Sequence, residues 1–213
     1  TCCEVLITYM CGTPGGVGCR NSAITTGQAD QTFYTYARLN RCASPCNNSP
    51  DFTNPPVAII CCNQDYVFNN GALDTNDNGD SLSYALVPAL QGPGQNVTYS
   101  GTFSFQRPLT FAGFPNNNAN LPFGFHLDDE TGDLAFRPTR CNEVFTVVIQ
   151  VNEWRKINGT PTKIGETRRD MQIVVVSCPN NRIPTLPFIQ QTKACANQQV
   201  CINMNSNDLD RDD

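Results

Sequence analysis

Phe145-Thr146-Val147-Val148-Ile149-Gln150-Val151 is a run of apolar and β-branched residues, stiff at χ1 and suited to a pleated surface. It is strand-sized, far short of the ~18 apolar residues a membrane span needs. Working outward, similar short runs recur at Val57–Cys61, Tyr66–Phe68, Ser81–Leu86, Val97–Phe105, Gly124–Leu127, Leu134–Phe136 and Met171–Val176. Turn clusters separate them: Asn69-Asn70-Gly71, Asn76–Asp80, Gly92-Pro93-Gly94, Pro115–Asn120, Asp128–Gly132 and Asn158-Gly159. No window carries a helical period. The expectation is an all-β chain of antiparallel, immunoglobulin-like β-sandwich units.

Composition agrees. The 213 residues include 24 Asn (counted along the chain), 15 Gly and 15 Pro, residues that break helices and build turns. Charged residues make up 15%, and the net charge is −5. With no Lys/Arg run there is no footprint for phosphates, so nucleic acid is not expected as a partner. The single histidine, His126, is the one residue on which Ser-His-Asp or Cys-His chemistry could hang. Twelve cysteines without paired C-x-x-C knuckles favour disulfides and an extracellular setting over zinc. A start at Thr1, with neither methionine nor signal peptide, reads as a processed or excised piece.

An internal repeat sets the expected domains. Shifted by 134 (195 − 61), Cys61 falls on Cys195, Asn63-Gln64 on Asn197-Gln198, Asp74 on Asp208 and Asn76 on Asp210. The reading is therefore a chain of three parts: residues 1–49 ending a preceding unit, 50–180 forming a complete unit, and 181–213 opening the next. Proline-rich joints at Asn54-Pro55-Pro56 and Leu186-Pro187 would stiffen an extended array.

Several constellations are candidates for chemistry. In the loop Asp74–Asp80, the oxygens of Asp74, Asn76, Asn78 and Asp80 alternate ahead of a turn, as Ca²⁺ ligands do. No Glu stands at the twelfth position, which is Ala85. Asp208, Asp210 and Asp212 repeat the alternation, and the bland alternative is a solvated turn. Asp128, Asp129, Glu130 and Asp133 beside His126 could be drawn as a glycosidase pair. They read more simply as a hairpin turn with Gly132 in the left-handed position. Gly12–Gly18 lacks the Lys and Ser/Thr of a phosphate loop and reads as a loop between Cys11 and Cys19. Arg168-Arg169-Asp170 reads as sheet salt-bridging ahead of an anion or sugar contact.

The disulfide candidates of the middle unit are Cys61, Cys62, Cys141 and Cys178. Neighbours Cys61 and Cys62 point to opposite faces of a strand, so they do not bond each other and two pairings stay open. Cys178 is expected to be oxidised onto the opening strand, because first and last strands of such sandwiches lie side by side.

Three stretches together resemble a family. Phe68, Asp74 and Gly79-Asp80-Ser81-Leu82-Ser83-Tyr84 are similar to the opening of cadherin-like, immunoglobulin-fold repeats, and Leu127-Asp128-Asp129-Glu130-Thr131-Gly132-Asp133-Leu134 to their hairpin. With Val151–Arg155 and Ile164–Gln172 the pattern resembles the giant gliding-motility adhesins that Bacteroidota export through the type IX secretion system. The resemblance spans most of residues 38–213. It implies a non-enzymatic cell-surface filament whose partners are neighbouring repeats, the gliding machinery and a gripped polysaccharide or substratum. It also implies a possible O-glycan at Ser81, which otherwise simply starts a strand. The alternative is an accessory carbohydrate-binding module of a secreted polysaccharide-degrading enzyme, for which Trp154 and Tyr99 are the aromatic candidates.

Overall fold

The computed structural model describes residues 3–13, 16–55, 58–74, 80–113 and 124–182, with 196, 201, 207, 208 and 210. These residues contain strands, turns and irregular segments and no helix. The chain divides into two compact units, Thr1–Ser177 and Cys178–Asp213.

The first unit is organised by a long ribbon. The Phe145–Val151 run lies within β12 (Val144–Ile157), which turns at Asn158-Gly159 into β13 (Thr160–Val176). Both turn residues have positive φ, 52° and 82°. That geometry matches the right-handed twist of the strands, which is why Asn-Gly ends a hairpin so tightly. The odd-numbered face of the ribbon carries Phe145, Val147, Ile149 and Val151 beside Met171, Ile173 and Val175, all buried. Against this face packs a second sheet of three strands: β5 (Tyr66–Asn69), β10 (Phe125–Leu127) and β11 (Asp133–Phe136), in the order β10-β11-β5. Phe136 of β11 meets Phe145 edge-on at 6.0 Å, and Leu134, Tyr66, Phe68, Phe125 and Leu127 complete the core. Each such side chain contributes roughly 1.5–3 kcal/mol on burial.

The large sheet extends on both sides of the ribbon. β7 (Ser81–Leu86) pairs antiparallel with β12. The other edge of β13 carries two strands: β2 (Phe33–Asn40) is antiparallel to Gly165–Thr167, and β4 (Ala58–Cys61) is parallel to Ile173–Val176. The strands expected to open and close residues 50–180, β4 and β13, are thus side by side. Arg169 lies between those two stretches; its guanidinium donates to the carbonyls of Asn54 and Asn70 and sits 4.6 Å above Phe52. β1 (Glu4–Cys11) pairs along its whole length with β2, while β8 (Leu90–Gly92) and β9 (Gln95–Asn96) continue beyond Tyr34. Short β3 (Asp51–Phe52) and β6 (Ala72–Leu73) pair with each other.

Two expectations are corrected here. Residues 1–49 do not end a separate unit: β2 is hydrogen-bonded into the same sheet as β12 and β13. The described part of the proline-rich segment, residues 49–55, belongs to this unit as well: Asn54 O accepts from Arg169 of β13. Val97–Phe105 is not a strand either. Gly101 (φ 58°) turns the chain, and the Ser100 N–H donates to Thr26 O, not to a neighbouring strand.

The second unit begins at Cys178, three residues before the expected start at residue 181. Within it the Asn181 N–H donates to Cys178 O. Of the joint expected near residues 179–187, residues 183–187 lie outside the described residues.

Candidate functional site

The acidic loop is the site on which the sequence reading placed most weight. Asn76 and Asn78 lie outside the described residues, but Asp80 is described and its carboxylate is fully buried. Arg155, just past a register shift in β12 between Glu153 and Trp154, grips it with both forks: Nε to Oδ1 at 2.7 Å and Nη2 to Oδ2 at 2.6 Å. The same guanidinium donates to Ser44 Oγ at 2.6 Å and to Asn47 Oδ1 at 3.4 Å. Asn47 in turn donates to the buried Glu153, over which a Cβ on Gly165 would collide. Four segments distant in sequence meet in this lock. A bidentate guanidinium uses the lone pairs a cation would need and brings its own positive charge. Asp80 therefore does not fit the role of Ca²⁺ ligand, whereas Asp74 keeps its place before the loop. In the second unit the Asp208 carboxylate accepts the Asp210 N–H at 2.9 Å, and Asp210 accepts the Arg182 N–H. Asp212 lies outside the described residues. No group of three His, Cys, Asp or Glu able to hold a metal occurs among the described residues.

The carboxylates beside His126 form a turn. Asp128 Oδ1 accepts the N–H groups of Glu130 and Thr131 at 2.9 and 2.7 Å, and these bonds hold its carboxyl below the usual range. A general acid needs the opposite shift. Asp133 accepts from Asn69 Nδ2 at 2.7 Å and from the Thr131 hydroxyl at 3.0 Å. Gly132 (φ 77°) sits where a Cβ would strike the Tyr84 ring. His126 is exposed on β10.

Disulfides follow the extracellular expectation. Cys62 pairs with Cys141, Cys3 with Cys42, and Cys11 with Cys19. The Cys62–Cys141 bridge removes one of the two open pairings; Cys61 and Cys178 are both oxidised. Cys46 and Cys201 are free and exposed. Ser81 is exposed at the first position of β7. Trp154 donates to Ser83 Oγ at 2.9 Å, and Tyr99 packs on the small apolar cluster of Ala89, Val97 and Val148, so they do not form a shared exposed platform.

Two clefts were not legible in the sequence. One, of about 270 Å³, is lined by Cys3, Glu4, Arg38, Asn40, Lys163 and Glu166. Its charges cancel: Arg38 Nε lies 3.2 Å from Glu4 and 3.6 Å from Glu166, and Lys163 pairs with Glu166. Burial pushes the Glu166 carboxyl up, but Lys163, the Tyr36 hydroxyl and Arg38 together hold it below its ordinary value. The Tyr36 hydroxyl is correspondingly raised, by burial and then by Glu166.

The other cleft, about 260 Å³, lies on the even-numbered face of the ribbon and is lined by Arg20, Asn21, Ile24, Phe33, Asp170 and Gln172. Arg20 and Asp170 are buried and paired at 3.2 and 2.7 Å, and Arg20 also donates to Leu90 O at 3.1 Å. The Arg20 Nε and the nearby Thr146 hydroxyl are buried without hydrogen-bond partners. Arg168 joins the ring of Tyr36 at 5.3 Å and donates to Pro88 O. The 168–170 run is thus a set of sheet contacts, with its ion pair buried and reaching 150 residues back.

No family model and no curated protein matches the chain. Among solved structures it is similar to the "putative alpha-galactosidase" of Bacteroides fragilis at 12% identity, with a TM-score of 0.34. The match covers 61% of this chain and 18% of that one, a likeness too slight to carry fold or activity across.

Proposed function

We propose that this chain is a non-enzymatic, load-bearing β-sandwich segment of a secreted cell-surface protein of the gliding-adhesin kind. The observation that supports the reading best is how its ionisable groups are used. Asp80 is held by Arg155, Asp128 by its own turn, Asp170 by Arg20, and Glu143 by Thr110 at 2.8 and 2.7 Å. Carboxylates committed to tertiary ties resist shear between segments and are poorly placed as acids or bases. Cys62–Cys141 adds a covalent stop enclosing 79 residues. In the adhesin reading such segments stand in series, tied to neighbouring repeats, exported by the type IX machinery and gripping polysaccharide or substratum. Single-molecule pulling tests the mechanical part. Reduction should release at least about 390 Å of extra length, from the 79 residues closed by Cys62–Cys141 and the 39 closed by Cys3–Cys42, at 3.3 Å or more each. An extension indifferent to reductant, or turnover of any aryl glycoside, counts against it.

A second reading, an accessory carbohydrate-binding module, is favoured by the cleft around Arg20. Planar polar groups of Arg20, Asn21, Asp170 and Gln172 beside the Phe33 ring suit a small hydroxylated ligand. A glycan array tests it: binding lost in Gln172→Leu supports a module, and a blank array leaves the structural role standing.

A further inference from the structure

The first strand of the chain is an exposed sheet edge among the described residues. β1 pairs with β2 and with no other strand among the described residues. Its register on β2 sums to 44 (Glu4↔Asn40 through Cys11↔Phe33), and the Arg41 N–H donates to Cys3 O at 2.7 Å. In an antiparallel ladder the residues that exchange both backbone bonds alternate along the strand. Val5, Ile7 and Tyr9 therefore face β2, and the N–H and C=O groups of Leu6, Thr8 and Met10 point outward along a bare edge. The side chains are bare as well: Leu6 is 49% exposed, Ile7 60%, Tyr9 61% and Met10 48%. Protected edges are short, bulged, or marked by lysine or proline. β1 has eight residues, no bulge and no proline, and Glu4 is its sole charge.

Disulfides brace this strand at both ends. Cys3–Cys42 fixes the residue before it, and Cys11–Cys19 fixes its last residue. An edge held straight in this way loses little conformational freedom when another strand docks on it.

We propose that β1 is a docking edge for β1 of a second copy of the chain, antiparallel and centred on Ile7. A two-fold axis perpendicular to the sheet requires paired positions to sum to an even number, here 14. Leu6 then exchanges backbone bonds with the partner's Thr8. On the odd face Val5 lies opposite the partner's Tyr9, and Ile7 opposite the partner's Ile7. Charge selects the antiparallel direction: Glu4 falls opposite the partner's Met10, whereas in-register parallel pairing would set Glu4 against Glu4. The apolar residues are covered on both faces at once, and the sheet continues through the axis. This goes beyond the proposed structural role, since it joins separate chains side by side.

The test is sedimentation velocity of the oxidised protein from about 1 µM to about 1 mM, spanning weak to moderate affinities. The wild-type protein should pass from monomer to dimer within that range, with slowed amide exchange at Leu6 and Thr8 in the dimer. Ile7→Lys puts two ammonium groups face to face on the axis and should weaken dimerisation at least about tenfold. Because Ile7 is exposed, its melting temperature should stay near that of the wild type. Val17→Lys, at an 88% exposed apolar residue outside β1, should dimerise as the wild type does. A wild-type protein that stays monomeric throughout overturns the proposal. So does dimerisation that survives Ile7→Lys, or one that Val17→Lys abolishes equally.

Discussion

The two faces of one ribbon differ more than any two separate elements of this protein. On the odd face of β12 and β13 stand Phe145, Val147, Ile149, Met171 and Ile173, at most 3% exposed and packed into the apolar core. On the even face the same strands present Thr146, Gln150, Asn152, Glu166, Arg168 and Asp170; Thr146, Asn152 and Glu166 are buried, and most of the six are tied by ion pairs and amide bonds. Alternation sends successive side chains to opposite faces, so residues one apart obey different physics. The apolar face gains stability from area removed from water. The polar face must recover the desolvation of every charge it buries, and it returns specificity of pairing more than net stability.

The largest effect should come from breaking the apolar face. Phe145→Ala removes a fully buried ring packed on Phe136 and should cost about 3–5 kcal/mol in chemical denaturation under oxidising conditions. A loss below about 1 kcal/mol would mean that the three-stranded sheet does not close over the ribbon as described.

The polar face should respond differently to single and double changes. Asp170→Ala leaves Arg20 buried without its partner and should cost about 3–5 kcal/mol, much of it desolvation left uncompensated. Replacing both, Arg20→Met with Asp170→Leu, should be close to neutral or stabilising by up to about 4 kcal/mol. If the double variant is as damaged as the single one, the pair contributes net stability and the contrast between the faces is weaker than argued.

The apolar face was largely legible in the sequence and the polar one was not. Phe145–Val151 and Met171–Val176 announce themselves because burial selects β-branched residues. Thr160–Asp170 completes β13 with charged residues, and Glu166, Arg169 and Asp170 find their partners Arg38, Asn54 and Arg20 over a hundred residues away. Nothing local marks such residues as strand. The proline-rich stretch misled for a related reason: a connection within one unit has the composition of a linker. In the acidic loop, alternation of oxygens was visible, but the guanidinium claiming Asp80 comes from 75 residues downstream.

A pH titration sharpens the comparison at smaller scale. The Glu166 carboxyl is held below the usual carboxylate range, despite burial, by Lys163, Tyr36 and Arg38. A carboxylate lowered in the folded state supports stability fully above its unfolded pKa and loses that support as pH falls through the folded value. The melting temperature should therefore drop from about pH 5 downward, and Glu166→Gln should flatten that part of the curve. Phe145→Leu should shift the curve without changing its slope. Equal slopes in wild type and Glu166→Gln would remove Glu166 from the acid response.

The smallest expected effect is that of calcium. With all four candidate ligands of the 74–80 loop available, extracellular-type affinities of ~0.1–1 mM would give ~0.4–1.4 kcal/mol at millimolar calcium. The Arg155 guanidinium removes Asp80 from that set and places a positive charge beside any incoming cation. A site left with Asp74 and the two asparagines should bind more weakly than ~1 mM and contribute under ~0.4 kcal/mol. For a chain of this size that corresponds to less than about 2 °C in melting temperature. Melting in 1 mM calcium against chelator, at matched ionic strength, reads this directly. Asp80→Asn should lower stability in both conditions by loosening the lock, while leaving the small calcium increment unchanged. A shift of several degrees that disappears in Asp74→Asn and in Asp80→Asn alike would show that calcium competes successfully with Arg155. The loop would then be a cation site, and the lock its calcium-free form.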